Sequence, residues 1–220
     1  MIINAHTHHL SDSKATVLDI YNQYPWNWEE NDSHYSIGIH PIFIDQSETT
    51  TDLQTIKVKL DDPKCLAIGE IGLDKITSID FKVQEEIFIR QLELAKQHYK
   101  PVIIHCVRAY QEVLQIKQHL DFKAPFIFHG FNKNVQLAQQ ILKNGGTLSF
   151  GKNLLHNPNL QTIFANLSPQ DFLLENDDSQ IPIEEIYQRA AEIRNQSIEN
   201  FTSLVEENFH RLFIQSSVKN

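Results

Sequence analysis

Apolar residues in this chain gather into short, nearly unbroken runs, separated by longer stretches with helical spacing. The runs lie at 35–40, 65–70, 101–106, 125–130, 146–151 and 172–177, with weaker ones at 1–5 and 16–21. Near-continuous apolar runs signal strands buried on both faces, as in parallel sheets. Segment 16–21 also accommodates a helix. The stretches 50–60, 80–99, 108–120, 134–143, 157–166, 182–195 and 197–213 read as helices. The longest carries Phe81, Ile87, Phe88, Leu92, Leu94 and Ala95 on one broad side. Asn144-Gly145-Gly146 is a helix stop, Pro182 suits a first turn, and Ser197 suits a cap.

Eight strands alternating with helices predict a TIM-type (β/α)8 barrel. The chain has 220 residues, where roughly 250 is usual for this fold and about 200 its floor. The first two strands are joined by only about ten residues, and the polar stretch 22–33 leaves little room for an outer helix. The expectation is a trimmed barrel lacking one or two early outer helices. Residues 1–220 are expected to form a single domain, with no repeat, low-complexity tract or linker.

Composition adds exclusions. A formal net charge of −9 argues against wrapping long duplex nucleic acid, which needs a broad basic surface. It leaves room for one or two phosphates at a metal centre, where a bound cation inverts the local field. No run approaches the roughly 18 apolar residues of a membrane span. MIINAHTHH lacks the basic region and apolar core of a signal peptide, so export by that route is not expected. Cys65 and Cys106 are the two cysteines. Both read as buried free thiols suited to a reducing cytoplasm. Cys106 follows His105 directly, but strand alternation turns it to the other side, so packing is its expected role.

The chemistry lies at the downstream run ends. In a parallel barrel these ends open on one face, so residues distant in sequence converge there. His6 and His8 share one side of an extended strand, as capture of one ion requires, while His9 points away. Glu70 closes the run in AIGEIGLD between Gly69 and Gly72, which would let backbone and metal approach closely. Asp74 reads as a turn acceptor or a support behind a ligand. His105 in PVIIHC and His129 in PFIFHG repeat one pattern of proline, apolar run and histidine. FLLENDD ends in Asp177, with Glu175 and Asp178 as alternatives. Four imidazoles and two carboxylates suit a divalent-metal site that activates water. His40 in GIHP is a candidate substrate contact, whereas His34, His98, His119, His156 and His210 are placed in loops or on helices without a role. Trp26 and Trp28 could stack on a base or sugar, although covering the abbreviated side of the barrel is favoured.

At this point the chain resembles the TatD family of metal-dependent deoxyribonucleases and related hydrolases. AHTHH, SIGIHP, AIGEIGLD, PVIIHC, FHGF and FLLENDD carry the resemblance in family order, from the N-terminus to ENFHRLF. It implies a (β/α) barrel and phosphodiester hydrolysis with one or two divalent ions. His6 and His8 match the first metal pair, Glu70 the carboxylate contacting both metals, and His105 and His129 the single histidines. Asp177 matches the Asp of the family's E-T-D motif, here Glu175-Asn176-Asp177, which settles the choice against Asp178. Two departures touch substrate-binding parts. The usual Arg two positions after the first single histidine is Val107 here, with Arg108 one step on, and the proline-containing loop after E-T-D is missing.

The expected reaction is hydrolysis of a phosphate ester, most simply at a nucleic acid end. Asp177 is the expected general base, Glu70 the bridging carboxylate, and His40 and Arg108 the substrate contacts. Zinc, manganese, nickel or cobalt suit the histidines better than magnesium, which prefers oxygen. A second reading changes the bond to an amide, lactone or phosphate monoester. Glu70, in place of a strand lysine that could be carbamylated, favours the first. A third reading is a non-catalytic metal-binding barrel, against which the full ligand set argues. Neither a membrane nor an obligate protein partner is expected.

Overall fold

The computed structural model of the chain describes residues 1–12 and 15–215. Eight parallel strands pair in sequence order: β1 (Ile2–Thr7), β2 (Val17–Gln23), β3 (His34–Ile37), β4 (Cys65–Asp74), β5 (Val102–Val107), β6 (Phe126–Phe128), β7 (Gly146–Phe150) and β8 (Phe172–Leu174). Each parallel pair needs a crossover, and helices supply most of them. They are α1 (Thr49–Lys59), α2 (Phe81–Gln97), α3 (Tyr110–His119), α4 (Val135–Lys143), α5 (Asn153–His156), α6 (Pro158–Ala165), α7 (Ile183–Ile193) and α8 (Ile198–Phe209). The result is a nearly closed TIM-type barrel. Its early side is trimmed as expected. Among the described residues no helix joins β1 to β2, and β2 reaches β3 through a single 3-10 turn, Pro25–Asn27. Segment 16–21 belongs to a strand, which resolves its ambiguity.

Element ends depart from the apolar pattern where other partners claim the backbone. β3 stops short of His40 because Ile39 turns its N–H to Gln91 Oε1 (2.7 Å) and its carbonyl to Gln91 Nε2 (3.2 Å). Pro41 then has no N–H to continue a ladder. β4 runs past Glu70 to Asp74, pairing Asp74 with Val107. A charge at position 70 reads as a strand end, yet its side chain faces the barrel mouth while pairing continues. The β4–β5 register shifts between Ile68 and Ile71, and the Gly69–Glu70 peptide is cis. At Gly72 (φ 151°) an added Cβ would lie 1.9 Å from the His105 carbonyl oxygen. That glycine serves close approach of β5 rather than of a metal. Arg108 (φ 56°) interrupts the chain after β5, so α3 begins at Tyr110 instead of 108.

Caps account for the helix starts that were legible. Asp80 accepts from Lys82 N and Val83 N, Asn134 from Leu137 N, Asn157 from Asn159 N and Leu160 N, and Ser197 from Asn200 N. Each meets backbone donors that a helix start leaves unpaired. Phe164 of α6 fixes the outer layer to the sheet, packing edge-on against Phe150 (5.1 Å) and Phe172 (4.7 Å).

The ring closes where the last strand meets the first. His8 N donates to Asp177 O (2.9 Å), and Asp177 N donates to His6 O (3.1 Å). Nearer the strand starts, Asn176 N donates to Asn4 Oδ1 (3.0 Å) while Asn4 Nδ2 donates to Asn176 Oδ1 (3.0 Å). Tyr187 of α7 completes this seam, its hydroxyl accepting from Ile3 N (3.0 Å) and donating to Ile3 O (2.9 Å).

Candidate metal centre

The downstream strand ends bring His6, His8, Glu70, His105, His129 and Asp177 together. Donor atoms of His6, His8 and Asp177 lie within 4.8 Å of one another, as do those of His6, Glu70 and His129, and those of His40, Glu70 and His105. Glu70 is the hub. Its Oε2 stands 3.3 Å from His6 Nε2 and 3.5 Å from His8 Nε2. Its Oε1 stands 2.7 Å from both His105 Nδ1 and His129 Nε2 and 3.1 Å from His40 Nε2. Asp177 Oδ1 completes the first group at 3.5 Å from His6 Nε2 and 3.6 Å from His8 Nε2.

Hydrogen bonds behind these groups assign their roles. Ile42 N donates to His40 Nδ1 (3.2 Å). That nitrogen is therefore an acceptor, the proton sits on Nε2, and Nε2 donates to Glu70. His40 thus steadies Glu70 and has no lone pair left for an ion. His105 is arranged differently, with Nε2 3.1 Å from Asp74 Oδ2. Each of its ring nitrogens therefore faces a carboxylate, Nε2 that of Asp74 and Nδ1 that of Glu70, the latter at 2.7 Å. Glu175, fully buried, accepts from Gly130 N and stands 3.5 Å behind His129 Nδ1. Asn22 Oδ1 accepts from Glu70 N at 2.8 Å.

Electrostatics follow from burial against carboxylates. Burial alone would lower His6, but the adjacent Asp177 and Glu70 carry it up to about 9. Burial also opposes protonation of His129, yet Glu70 and Glu175 hold it well above the ordinary histidine range. Burial would raise Glu70 and Asp177. The surrounding histidines win in both cases, holding Glu70 well below its usual range and Asp177 near about 2. Burial dominates at His40 and lowers it, in keeping with a neutral donor. The centre is a pair of carboxylates held ionised among imidazoles, a set that a divalent cation can neutralise.

The residues fit such an ion. Neither ring nitrogen of the buried His6 has a hydrogen-bond partner in the described protein, a costly state unless a lone pair meets a cation. Donors bonded to one tetrahedral ion at about 2.0–2.2 Å lie roughly 3.3–3.6 Å apart. The four distances from the His6 and His8 nitrogens to Glu70 and Asp177 run from 3.3 to 3.6 Å.

Two other sequence candidates stand apart from the donor groups. Arg108 is exposed beyond β5 and makes no hydrogen bond or ion pair among the described residues. Cys106 is buried and outside the cluster, as alternation required. Asp74 is the support behind His105. Glu175, set aside as a rival of Asp177, has its own place, and Asn22 was missed. The available signal for Glu175 was the i, i+2 spacing from Asp177, which puts both on one side of an extended segment. Asn22 has no local signal. A surface groove of about 860 Å³ between α4 and α6 contains none of these donors.

The profile of the family described as TatD related DNase matches residues 6–214. A metal-dependent hydrolase of Bacillus subtilis, YabD, is 32% identical over 205 residues, covering 84% of this chain and 79% of that protein. A TATDN1 homolog of Vairimorpha ceranae is 26% identical over 161 residues, 72% of this chain but 57% of that protein. This chain therefore spans less than two thirds of that relative. Among solved structures, the TatD homolog YjjV of Escherichia coli superposes with a TM-score of 0.83 at 20% identity, covering 96% of this chain and 97% of that one. A TatD family hydrolase of Entamoeba histolytica gives 0.71 at 18% identity, over 82% and 74% of the two chains. The fold agrees with both, and the family match spans every donor in the cluster: the chain belongs to the TatD related DNase family.

Proposed function

We propose that this chain is a divalent-metal-dependent phosphodiesterase that cleaves at nucleic acid ends. The observation that carries the reading is the division of Glu70, with one oxygen toward His6 and His8 and the other toward His105 and His129. His6, His8, Glu70 and Asp177 would hold one ion, and Glu70, His105 and His129 a second. Zinc, manganese, nickel or cobalt fit this nitrogen-rich set better than magnesium. Bound ions supply Lewis-acid polarisation of a phosphoryl oxygen and lower the pKa of water toward about 7.

The protein's own groups divide the remaining work by exposure. The Asp177 side chain is 31% exposed, whereas that of Glu70 is 5% exposed. Asp177 can reach solvent and substrate, and its carboxyl is held ionised, so it accepts the proton of the attacking water. Glu70 stays fixed, held by His40 through its side chain and by Asn22 through its backbone. Asp74 and Glu175 orient His105 and His129, as carboxylates commonly do behind metal-binding imidazoles. Arg108, exposed just after β5, is the candidate cation for a substrate phosphate. The thiols of Cys65 and Cys106, buried and pushed up to about 12 by burial, fit a reducing compartment such as the cytoplasm.

The test is a comparison of substrates. Chelator-stripped protein should leave bis-p-nitrophenyl phosphate intact and recover turnover when manganese or zinc is returned. Faster hydrolysis of p-nitrophenyl phosphate or of a lactone than of the diester would overturn the phosphodiester reading.

A further inference from the structure

Beside the donor cluster the barrel mouth carries an exposed aromatic patch on the trimmed side. Trp26, on the 3-10 turn after β2, is 45% exposed, and Phe43, on the turn after His40, is 50% exposed. Tyr24 and Trp26 stack with centroids 5.0 Å apart and planes 11° from parallel. Phe43 meets both edge-on, at 5.6 Å from Tyr24 and 6.2 Å from Trp26. The patch joins the site by two routes: Tyr24 lies 6.3 Å from the His8 ring, and Phe43 lies 5.5 Å from that of His40. Trp28 behaves differently. Its face is covered by the Lys59 ammonium at 3.0 Å and its edge by Tyr35. The two tryptophans of one loop therefore divide, Trp28 covering the barrel and Trp26 facing solvent.

We propose that Trp26, supported by Tyr24 and Phe43, is a stacking subsite for an unpaired nucleobase next to the phosphate cleaved at the metal centre. The inference rests on the phosphodiesterase reading and narrows it to single-stranded or frayed nucleic acid ends. With a net charge of −9, the chain cannot draw affinity from a long run of phosphates. Stacking on an aromatic face supplies affinity independently of charge and of base identity. A base inside a duplex already has both faces covered, whereas an unpaired one has a face to offer. Trp26 presents the flat, braced ring such a base requires, linked through Tyr24 to His8 of the donor cluster.

The experiment uses the metal-loaded chain and a short single DNA strand, with the same strand carrying abasic residues at its ends as control. W26A should raise KM on the intact strand roughly 10- to 100-fold, the loss expected for one stacked base. The change in kcat should be much smaller. W26F, which keeps a ring, should recover most of the KM. On the abasic strand W26A should add little, because the lost ring and the lost base are one interaction. Titration with a phosphorothioate strand should quench tryptophan emission in the wild type and not in W26F. If the wild type cleaves the strand and W26A matches it in KM, the stacking subsite is wrong and the phosphodiesterase reading survives. If the wild type cleaves no strand while hydrolysing another ester, the reading itself falls and the subsite falls with it.

Discussion

His40 and Glu70 are joined by a hydrogen bond of 3.1 Å, and the direction of that bond is set from behind, where Ile42 N donates to the other ring nitrogen. Proximity alone would count His40 as a ligand, since its donor atom clusters with Glu70 and His105. The tautomer says otherwise. H40A should therefore keep the full number of ions per chain and weaken their affinity about 10- to 100-fold, the usual cost of losing such a support. H105A should lose one ion. Metal analysis after dialysis separates the two, and loss of an ion from H40A would show that His40 ligates.

His6 and His8 face the same pair of carboxylate oxygens. Replacing both by alanine should empty that half of the centre and reduce diester hydrolysis by about three orders of magnitude or more, given the size of the Lewis-acid contribution. Steady-state assays with added metal provide the check. Surviving turnover in the double variant would place the catalyst elsewhere.

The raised His6 and His129 tie metal capture to pH. In the metal-free protein His6 titrates at about 9, above its ordinary 6.5. Its attraction to Asp177 and Glu70 is fully present below about pH 6.5 and fades as pH climbs through about 9. An ion requires both imidazoles neutral, so binding must expel their protons. Apparent metal affinity should rise with pH up to about 9. Calorimetric titration near neutral pH, in buffers of different ionisation enthalpy, should report release of more than one proton per chain. Release of none would contradict the protonated imidazoles described above.

Tyr187 bonds both the N–H and the carbonyl of Ile3 at the seam. Y187F preserves the ring and strands two buried backbone groups, which should lower stability by about 2–3 kcal/mol. Urea denaturation measures the loss. Metal content should be unchanged, because the hydroxyl lies away from the donor cluster.

Much of this was legible for a simple reason. Strands buried on both faces write themselves as apolar runs, and a parallel barrel sends all their ends to one mouth, so His6, Glu70, His105 and His129 could be gathered without coordinates, while the family resemblance was needed to choose Asp177 over Asp178. What stayed hidden depends on contacts across the fold. Asn22 meets Glu70 forty-eight positions away, and nothing near Asn22 marks it. The full length of β4 is hidden because a buried glutamate resembles a strand end when its partners are unseen. The separate fates of Trp26 and Trp28 turn on Lys59 and Tyr35, which no local pattern connects to the loop.

The backbone bonds between His8 and Asp177 have a bearing on biosynthesis. When a nascent chain displays its first pair of imidazoles, the carboxylate that completes their set is still more than 160 residues from emerging. At about 5–20 residues per second, that interval is on the order of ten seconds or more. Until the last strand arrives, the ring cannot close and the donors around His6 and His8 are incomplete, so filling that half of the centre must wait for Asp177.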